Sequence, residues 1–288
     1  MSWQAYRVVL RLRSPLHIGH GKVGNLQRTR PYVTGRTFWG ALTMRLTRDA
    51  CHGRGPATNS QQYYRFGDQV HSLLAFSYFY PALKSNNHEG HSVQWPWDNL
   101  SEFRRRFLSS YAGTSLSYPA QSATEGSLHE VEFISPRTLD TGEPVFLTGY
   151  VFEKDGCTLK WQEAFRRLQL GGERGYGWGD VELVGIKELD ADKHLFGDLA
   201  TFDRDRDRPS IHLPRGERLL AHAVAEGLSV AGGVEPLVGR EWQSDRPRNS
   251  YAGQYVVFSE VCFIPGSVAC EDLDLLVDRF GVWRAPTE

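Results

Sequence analysis

Alternating strand patterns near residues 6–13, 129–135, 145–153 and 181–186, with helical spacing at 34–49 and 161–170, predict an α+β fold. Their order, β-α-(insertion)-β-β-α-β, is that of a ferredoxin-like (RRM-like) βαββαβ sandwich carrying a large insertion at about 53–128. The expected organisation is a first domain over 1–200 and a second part over 201–288. That second part reads either as a C-terminal extension or as a degenerate second ferredoxin-like unit.

The first strand puts Val8, Leu10 and Leu12 on one face and Arg7, Arg11 and Arg13 on the other, until Ser14-Pro15 stops it. A loop over 15–31 follows, holding Gly19, Gly21 and Gly24. Thr34 then stands where a helix cap belongs, and Phe38, Ala41, Leu42 and Leu46 recur at helical spacing to about Asp49. The apolar run 73–83 fits a strand or a buried helix, while 84–90 and 111–126 read as loops. Val131 and Phe133 mark a strand that pairs with 145–153 in a predicted hairpin around Asp140-Thr-Gly-Glu143. Phe165 and Leu168 mark the second helix, and a glycine-rich segment leads from it into the strand at 181–186. The charged stretch 187–208 reads as a linker. Beyond it come a helix or strand at 218–226, a loop at 232–253 and a strand at 254–264.

With 40% hydrophobic and 23% charged residues among 288, the chain has the profile of a folded protein and not of a disordered one. No run approaches about 18 apolar residues, and the first residues lack the apolar core of a signal peptide. A cytoplasmic protein without a membrane partner is expected. Cys51, Cys157, Cys262 and Cys270 form no CxxC pair, which argues against a zinc ribbon or a disulfide framework; no cofactor and no metal are expected.

Charge is unevenly distributed. Residues 1–60 carry ten Lys or Arg and one acid, Asp49, so the net charge of -1 conceals a basic first part and an acidic remainder. Only six of the 33 bases are lysines, and arginine offers planar bidentate donors for phosphate. Lys22, Arg28, Arg30, Arg36 and Arg45 spread over the first loop and helix, with little opposite charge nearby in the sequence. The second candidate is Gly171-Gly-Glu-Arg-Gly-Tyr-Gly-Trp-Gly179. Gly171, Gly172, Gly175, Gly177 and Gly179 permit close approach of a partner's backbone, Arg174 adds charge, and Tyr176 and Trp178 supply rings for stacking on bases. It lacks the Gly-Lys-Ser/Thr of a P-loop. In a ferredoxin-like unit the first and last strands are neighbours, so the two segments are expected to meet in one basic groove. Ordinary tight turns and a solvated basic face are the plainer readings of the same residues.

Arg13-Ser-Pro-Leu-His-Ile-Gly-His-Gly21, Arg30-Pro-Tyr-Val-Thr-Gly-Arg-Thr-Phe-Trp-Gly-Ala-Leu42 and the glycine-rich segment together resemble the RAMP superfamily of CRISPR-associated proteins. Thr34 stands where that family usually has proline, and Arg36 where it has a small hydroxyl residue. The resemblance spans the landmarks of 6–186. It implies a non-catalytic RNA-binding subunit of a type III CRISPR RNA-guided effector complex, holding guide RNA near its 5′ handle. The implied partners are the guide RNA itself and other effector subunits, the backbone and the large polymerase-like subunit. An alternative is a metal-independent endoribonuclease in which His17 or His20 acts as general base. A guide-RNA backbone subunit that slices target RNA is another, with Asp49 or Asp140 as candidates by position. His88 and His91 could ligate a metal if they lay on a helix, although Gly90 argues for a loop. Cys51-His52 has no third member, and Arg204, Arg206 and Arg208 alternate with aspartates in a self-neutralising stretch.

Overall fold

The computed structural model describes residues 2–51, 60–85, 90–118, 121–189, 194–241 and 255–286. The first strand, β1 (Trp3–Leu12), forms where expected, and β2 (Gly19–Val23) and β3 (Leu26–Thr29) make a small hairpin after it. Helix α1 (Gly35–Ala50) buries Phe38, Leu42 and Leu46 at four-residue spacing. Thr34 is its N-cap residue, but its Oγ1 lies 3.1 Å from Thr37 Oγ1 and its carbonyl, not its hydroxyl, accepts the Thr37 N–H. Then come α2 (Ser60–Leu73), β4 (Leu74–Phe76), β5 (Tyr80–Lys84), β6 (His91–Val93), α3 (Leu100–Phe107) and β7 (Leu108–Gly113). The apolar run at 73–83 thus begins at the end of α2 and continues as the two strands β4 and β5. A two-residue pair, β8 (Leu116–Ser117) and β9 (Ser122–Ala123), precedes β10 (His129–Ile134), β11 (Phe146–Lys154), α4 (Trp161–Phe165) and β12 (Val181–Glu188).

The first sheet has the order β12-β1-β11-β5-β6, with β4 also pairing β11, and every neighbouring pair is antiparallel. A second, four-stranded sheet runs β2-β3-β10-β7. The predicted hairpin between 129–135 and 145–153 is therefore corrected, because β10 and β11 sit in different sheets. Residues 136–145 close on themselves, with the Val145 N–H donating to the Pro136 carbonyl at 3.0 Å. β11 is buried over six consecutive residues and takes the centre of the first sheet, whereas β10 follows Leu16 and β3 outward.

The remainder is β-rich: β13 (His194–Leu195), β14 (Ala200–Asp203), β15 (Ser210–Leu213), β16 (Ala223–Val224), β17 (Val230–Ala231), β18 (Val234–Glu241), β19 (Tyr255–Phe263), β20 (Val268–Ala269), β21 (Leu273–Val277) and β22 (Trp283–Arg284). All but β17 and β20 build one eight-stranded sheet. Among the described residues from 194 onward there is no α-helix, so the helices of a second βαββαβ unit are missing there. Nor is 187–208 a plain linker. Leu195 and Phe202 are buried, and Arg208 lies over the Trp3 ring at 5.4 Å and donates to the His71 carbonyl at 2.7 Å.

The layers follow from which faces are apolar. Val8, Leu10 and Leu12 turn one face of the first sheet toward Phe38, Leu42 and Phe165 of the helices. The opposite face presents Trp3, Ala5, Tyr80 and Phe152 to Leu195, Phe202, Ile211 and Leu275 of the eight-stranded sheet. Each large side chain buried this way contributes roughly 1.5–3 kcal/mol. Residues 279–283 then cross the start of α1. A Cβ on Gly35 would lie 2.6 Å from the Phe280 carbonyl oxygen, and Gly281, at φ +74°, packs against the Phe76 carbonyl. Among the described residues no helix is long and apolar enough to cross a membrane.

Candidate nucleic-acid interface

The glycine-rich segment lies along the residues that leave β1. The Gly172 N–H donates to the His17 carbonyl at 2.9 Å, and the Gly179 N–H to the Pro15 carbonyl at 2.7 Å. Packing dictates glycine at both ends. A Cβ at Gly171 (φ +73°) would lie 2.3 Å from the His17 carbonyl oxygen, and one at Gly179 (φ +77°) would lie 1.8 Å from that of Leu170. The middle differs, because a Cβ at Gly175 would meet nothing within 4 Å and needs no left-handed backbone. Residues 174–176 form a single 3-10 turn that projects outward, with Tyr176 82% exposed. Trp178 turns away from it onto Phe133, with ring centroids 5.1 Å apart.

Beside this turn opens a groove of about 920 Å³. Its lining includes His20, Arg30, Arg36, Arg174, Arg240 and Tyr63. One wall is the first loop and α1; the other is the β18–β19 hairpin of the eight-stranded sheet. Arg36 is clamped between them. Its guanidinium lies 4.6 Å from the Phe280 ring centroid and 5.2 Å from that of Phe258, and it donates to the Arg240 carbonyl at 3.0 Å. Arg174 and Arg240 are exposed, and among the described residues neither side chain has an ion-pair partner.

Of the residues singled out in the sequence, Arg30, Arg36, Gly171, Gly172 and Arg174 line the groove, and His17 and His20 do as well. Lys22, Arg28, Arg45, Gly175, Tyr176, Gly177, Trp178 and Gly179 stand outside its lining. The expectation that the basic residues meet little opposite charge is corrected, because Glu132 and Glu235, distant in sequence, fold back onto two of them and the local Asp49 holds a third. Arg28 pairs with Glu132 at 3.1 Å, which also takes Arg104 at 2.7 Å. Arg45 pairs with Asp49 at 2.9 Å, and Arg167 joins the same carboxylate at 2.8 Å. Arg30 pairs with Glu235 at 2.6 Å.

That last pair anchors a buried network. Glu235 Oε1 also lies 2.5 Å from His222 Nε2, and His222 Nδ1 lies 2.7 Å from the Tyr78 hydroxyl. With the imidazole proton on Nε2, His222 donates to Glu235 and accepts from Tyr78, so both ring nitrogens are satisfied. Burial holds the His222 imidazole below its usual pKa, against the pull of Glu235. For Glu235, burial pushes upward, but the His222 hydrogen bond and the Arg30 guanidinium win and lower its carboxyl to about 2. Burial raises Tyr32 to about 12, with its ring stacked 5.6 Å from that of Tyr78.

Of the catalytic candidates, His17, Asp49 and Asp140 are engaged otherwise. His17 is 6% exposed, and its Nδ1 donates to the Glu132 carbonyl at 2.7 Å. His20 is exposed. Asp49 is held by the two arginines, and Asp140 by Arg106 at 3.0 Å. His91 packs on Phe146, centroids 4.3 Å apart, while His52 and His88 lie outside the described residues. The four cysteines are unpaired thiols, and among the described residues no group of three or more His, Cys, Asp or Glu could hold a metal ion.

Sequence reading missed the second wall, namely Arg240, Phe258, Phe280 and the Glu235–His222 pair. The available signal was the alternation of 234–241, where Glu235, Leu237 and Gly239 are more buried than Val234, Pro236, Val238 and Arg240.

No curated protein matches this chain. Among solved structures it is similar to a chain in a cryo-EM structure of the type III-B Cmr-beta complex bound to cognate target RNA and AMPPnP. That match has 13% identity and a TM-score of 0.48, over 91% of this chain and 85% of that one. It is also similar to a chain in a structure of Cmr-beta bound to cognate target RNA, at 11% identity and a TM-score of 0.37, over 64% of this chain and 96% of the other. The sequence model of the RAMP superfamily matches residues 9–182, more than half of the protein, and the chain belongs to that superfamily.

Proposed function

We propose that this chain is a non-catalytic RNA-binding subunit of a type III-like CRISPR RNA-guided effector complex, and that its groove holds guide RNA near the 5′ handle. The observation that carries the reading is the convergence of Arg30, Arg36, Arg174 and Arg240 on one groove. Phosphates gain from such donors without base specificity, and the exposed ring of Tyr176 is free to stack on a base. Open space around Gly175 lets a sugar-phosphate backbone approach the turn closely. Guide sequence is then left to base pairing, in a cytoplasmic assembly with backbone and large polymerase-like subunits. The strand order of the first sheet, β12-β1-β11-β4, with α1 after β1 and α4 after β11, supports a ferredoxin-like reading of this unit.

The test is binding of labelled handle-bearing RNA to Arg174→Glu/Arg240→Glu. Both side chains are exposed, so the fold is retained. Affinity is expected to fall at least tenfold at about 100 mM salt, with a shallower salt slope. Unchanged affinity and slope refute the groove. Incubation of repeat RNA with and without EDTA tests the enzymatic alternative: cleavage lost in His20→Ala overturns the non-catalytic reading.

A further inference from the structure

A second cleft, of about 450 Å³, lies at the outer end of β1, and its lining includes Arg11, Arg13, Arg137, Glu182, Pro136 and Pro144. Three arginines and a single acid are thus among its lining residues. Among the described residues the Arg11 side chain has no hydrogen-bond or ion-pair partner. Arg137 donates one nitrogen to the Gly142 carbonyl at 2.8 Å, which orients its fork and leaves the other donors available. Arg13 reaches Asp180 at 3.5 Å, but both side chains are more than half exposed, so this pair is screened and easily exchanged. The proline walls fix the backbone on both sides of the Arg137–Pro144 bridge, so the cleft is formed before any ligand arrives.

Its position gives it meaning. The Arg13 N–H donates to the Asp180 carbonyl and the Gly179 N–H to the Pro15 carbonyl, so the cleft begins where the glycine-rich segment ends. The groove described above begins on the other side of the same junction, at His17. Only Ser14, Pro15 and Leu16 separate Arg13 from His17 along the chain. A strand of nucleic acid crossing the projecting turn at 174–176 therefore meets arginines on both sides of it. The cleft lining holds no aromatic ring, so it suits phosphates and not bases.

We propose that this cleft is a second phosphate-binding site, which grips the sugar-phosphate backbone of the RNA beyond the groove and extends the bound length. The proposal rests on the RNA-binding reading of the groove. One experiment separates the two. The full chain and its Arg11→Gln/Arg137→Gln variant are titrated with unstructured RNAs of about 6 and about 20 nucleotides, lengths chosen to occupy the groove alone or both sites. In the variant the longer RNA is expected to bind about tenfold more weakly, with a salt slope shallower by about 1.4. The shorter RNA is expected to bind as to the wild type, which also reports an intact fold. If the longer RNA keeps its affinity and slope, the cleft is not an RNA site, and the Arg174→Glu/Arg240→Glu result still judges the groove independently. If poly-glutamate, and not RNA, loses affinity in the variant, the cleft serves an acidic protein segment and the proposal is overturned.

Discussion

Glu235→Gln tests whether the buried network joins the two halves of the groove through charge. Glutamine keeps the shape and an acceptor oxygen but removes the negative charge that faces Arg30 at 2.6 Å and His222 at 2.5 Å. The Glu235 carboxyl titrates near 2 in the fold against an ordinary 4.5, a gap of about 2.5 units. At about 1.4 kcal/mol per unit, that is roughly 3 kcal/mol of stabilisation of the folded state by the ionised carboxylate. The side chain is 26% exposed, so most of that figure survives solvent screening. Because the folded pKa is depressed, the contribution is complete above pH 4.5 and fades as the pH falls toward 2. Urea unfolding of wild type and variant across pH 3 to 7 measures it directly. The expected gap is about 3 kcal/mol at neutral pH, narrowing below 4.5; at roughly 2 °C per kcal/mol, melting at pH 7 drops by about 6 °C. Since Arg30 lines the groove, the variant also gains a net positive charge there, and RNA affinity stays equal or rises. A gap under about 0.5 kcal/mol at pH 7, within the range of ordinary surface substitutions, refutes the reasoning. So does one that persists unchanged to pH 3.

The glycines of residues 171–179 divide into two classes that thermal melting and RNA titration tell apart. Gly179→Ala, whose new Cβ would strike the Leu170 carbonyl in a left-handed backbone, is expected to cost at least about 3 kcal/mol. Gly175→Ala is expected to leave stability within about 0.5 kcal/mol and instead to weaken RNA binding, because its methyl group enters only the space a partner would use. Burial, reinforced by Arg208 and Arg279, lowers the His71 imidazole to about 4. Stability is therefore full above pH 6.5 and falls as the pH drops toward 4; melting curves of His71→Gln at pH 7 and pH 5 should show a flatter dependence.

Local pattern carried β1, α1 and β12, because each announces its buried face within its own residues, as Val8, Leu10 and Leu12 do, whereas the helix expected over 161–170 ends at Phe165, short of Leu168. Pairing of strands did not follow from pattern alone. β10 and β11 are consecutive and both apolar, yet the uninterrupted burial of 147–152 required neighbours on two sides, which β1 and β5 provide. The meeting of the first loop with the glycine-rich segment was legible, since β1 and β12 are adjacent. The counter-charges were not, because Glu132 and Glu235 lie 104 and 205 residues from their arginines. Nothing in a sequence window marks such a pair.

The crossing of residues 279–283 over the start of α1 bears on how the protein is made. The Gly35 backbone fits against Phe280, and Arg36 is clamped only once Phe258 and Phe280 are in place. A nascent chain that has emerged only as far as the glycine-rich segment therefore owns only one wall of the groove. The second wall is thus completed only after translation has passed residue 280, and a chain cut short before that point leaves Arg36 without either ring.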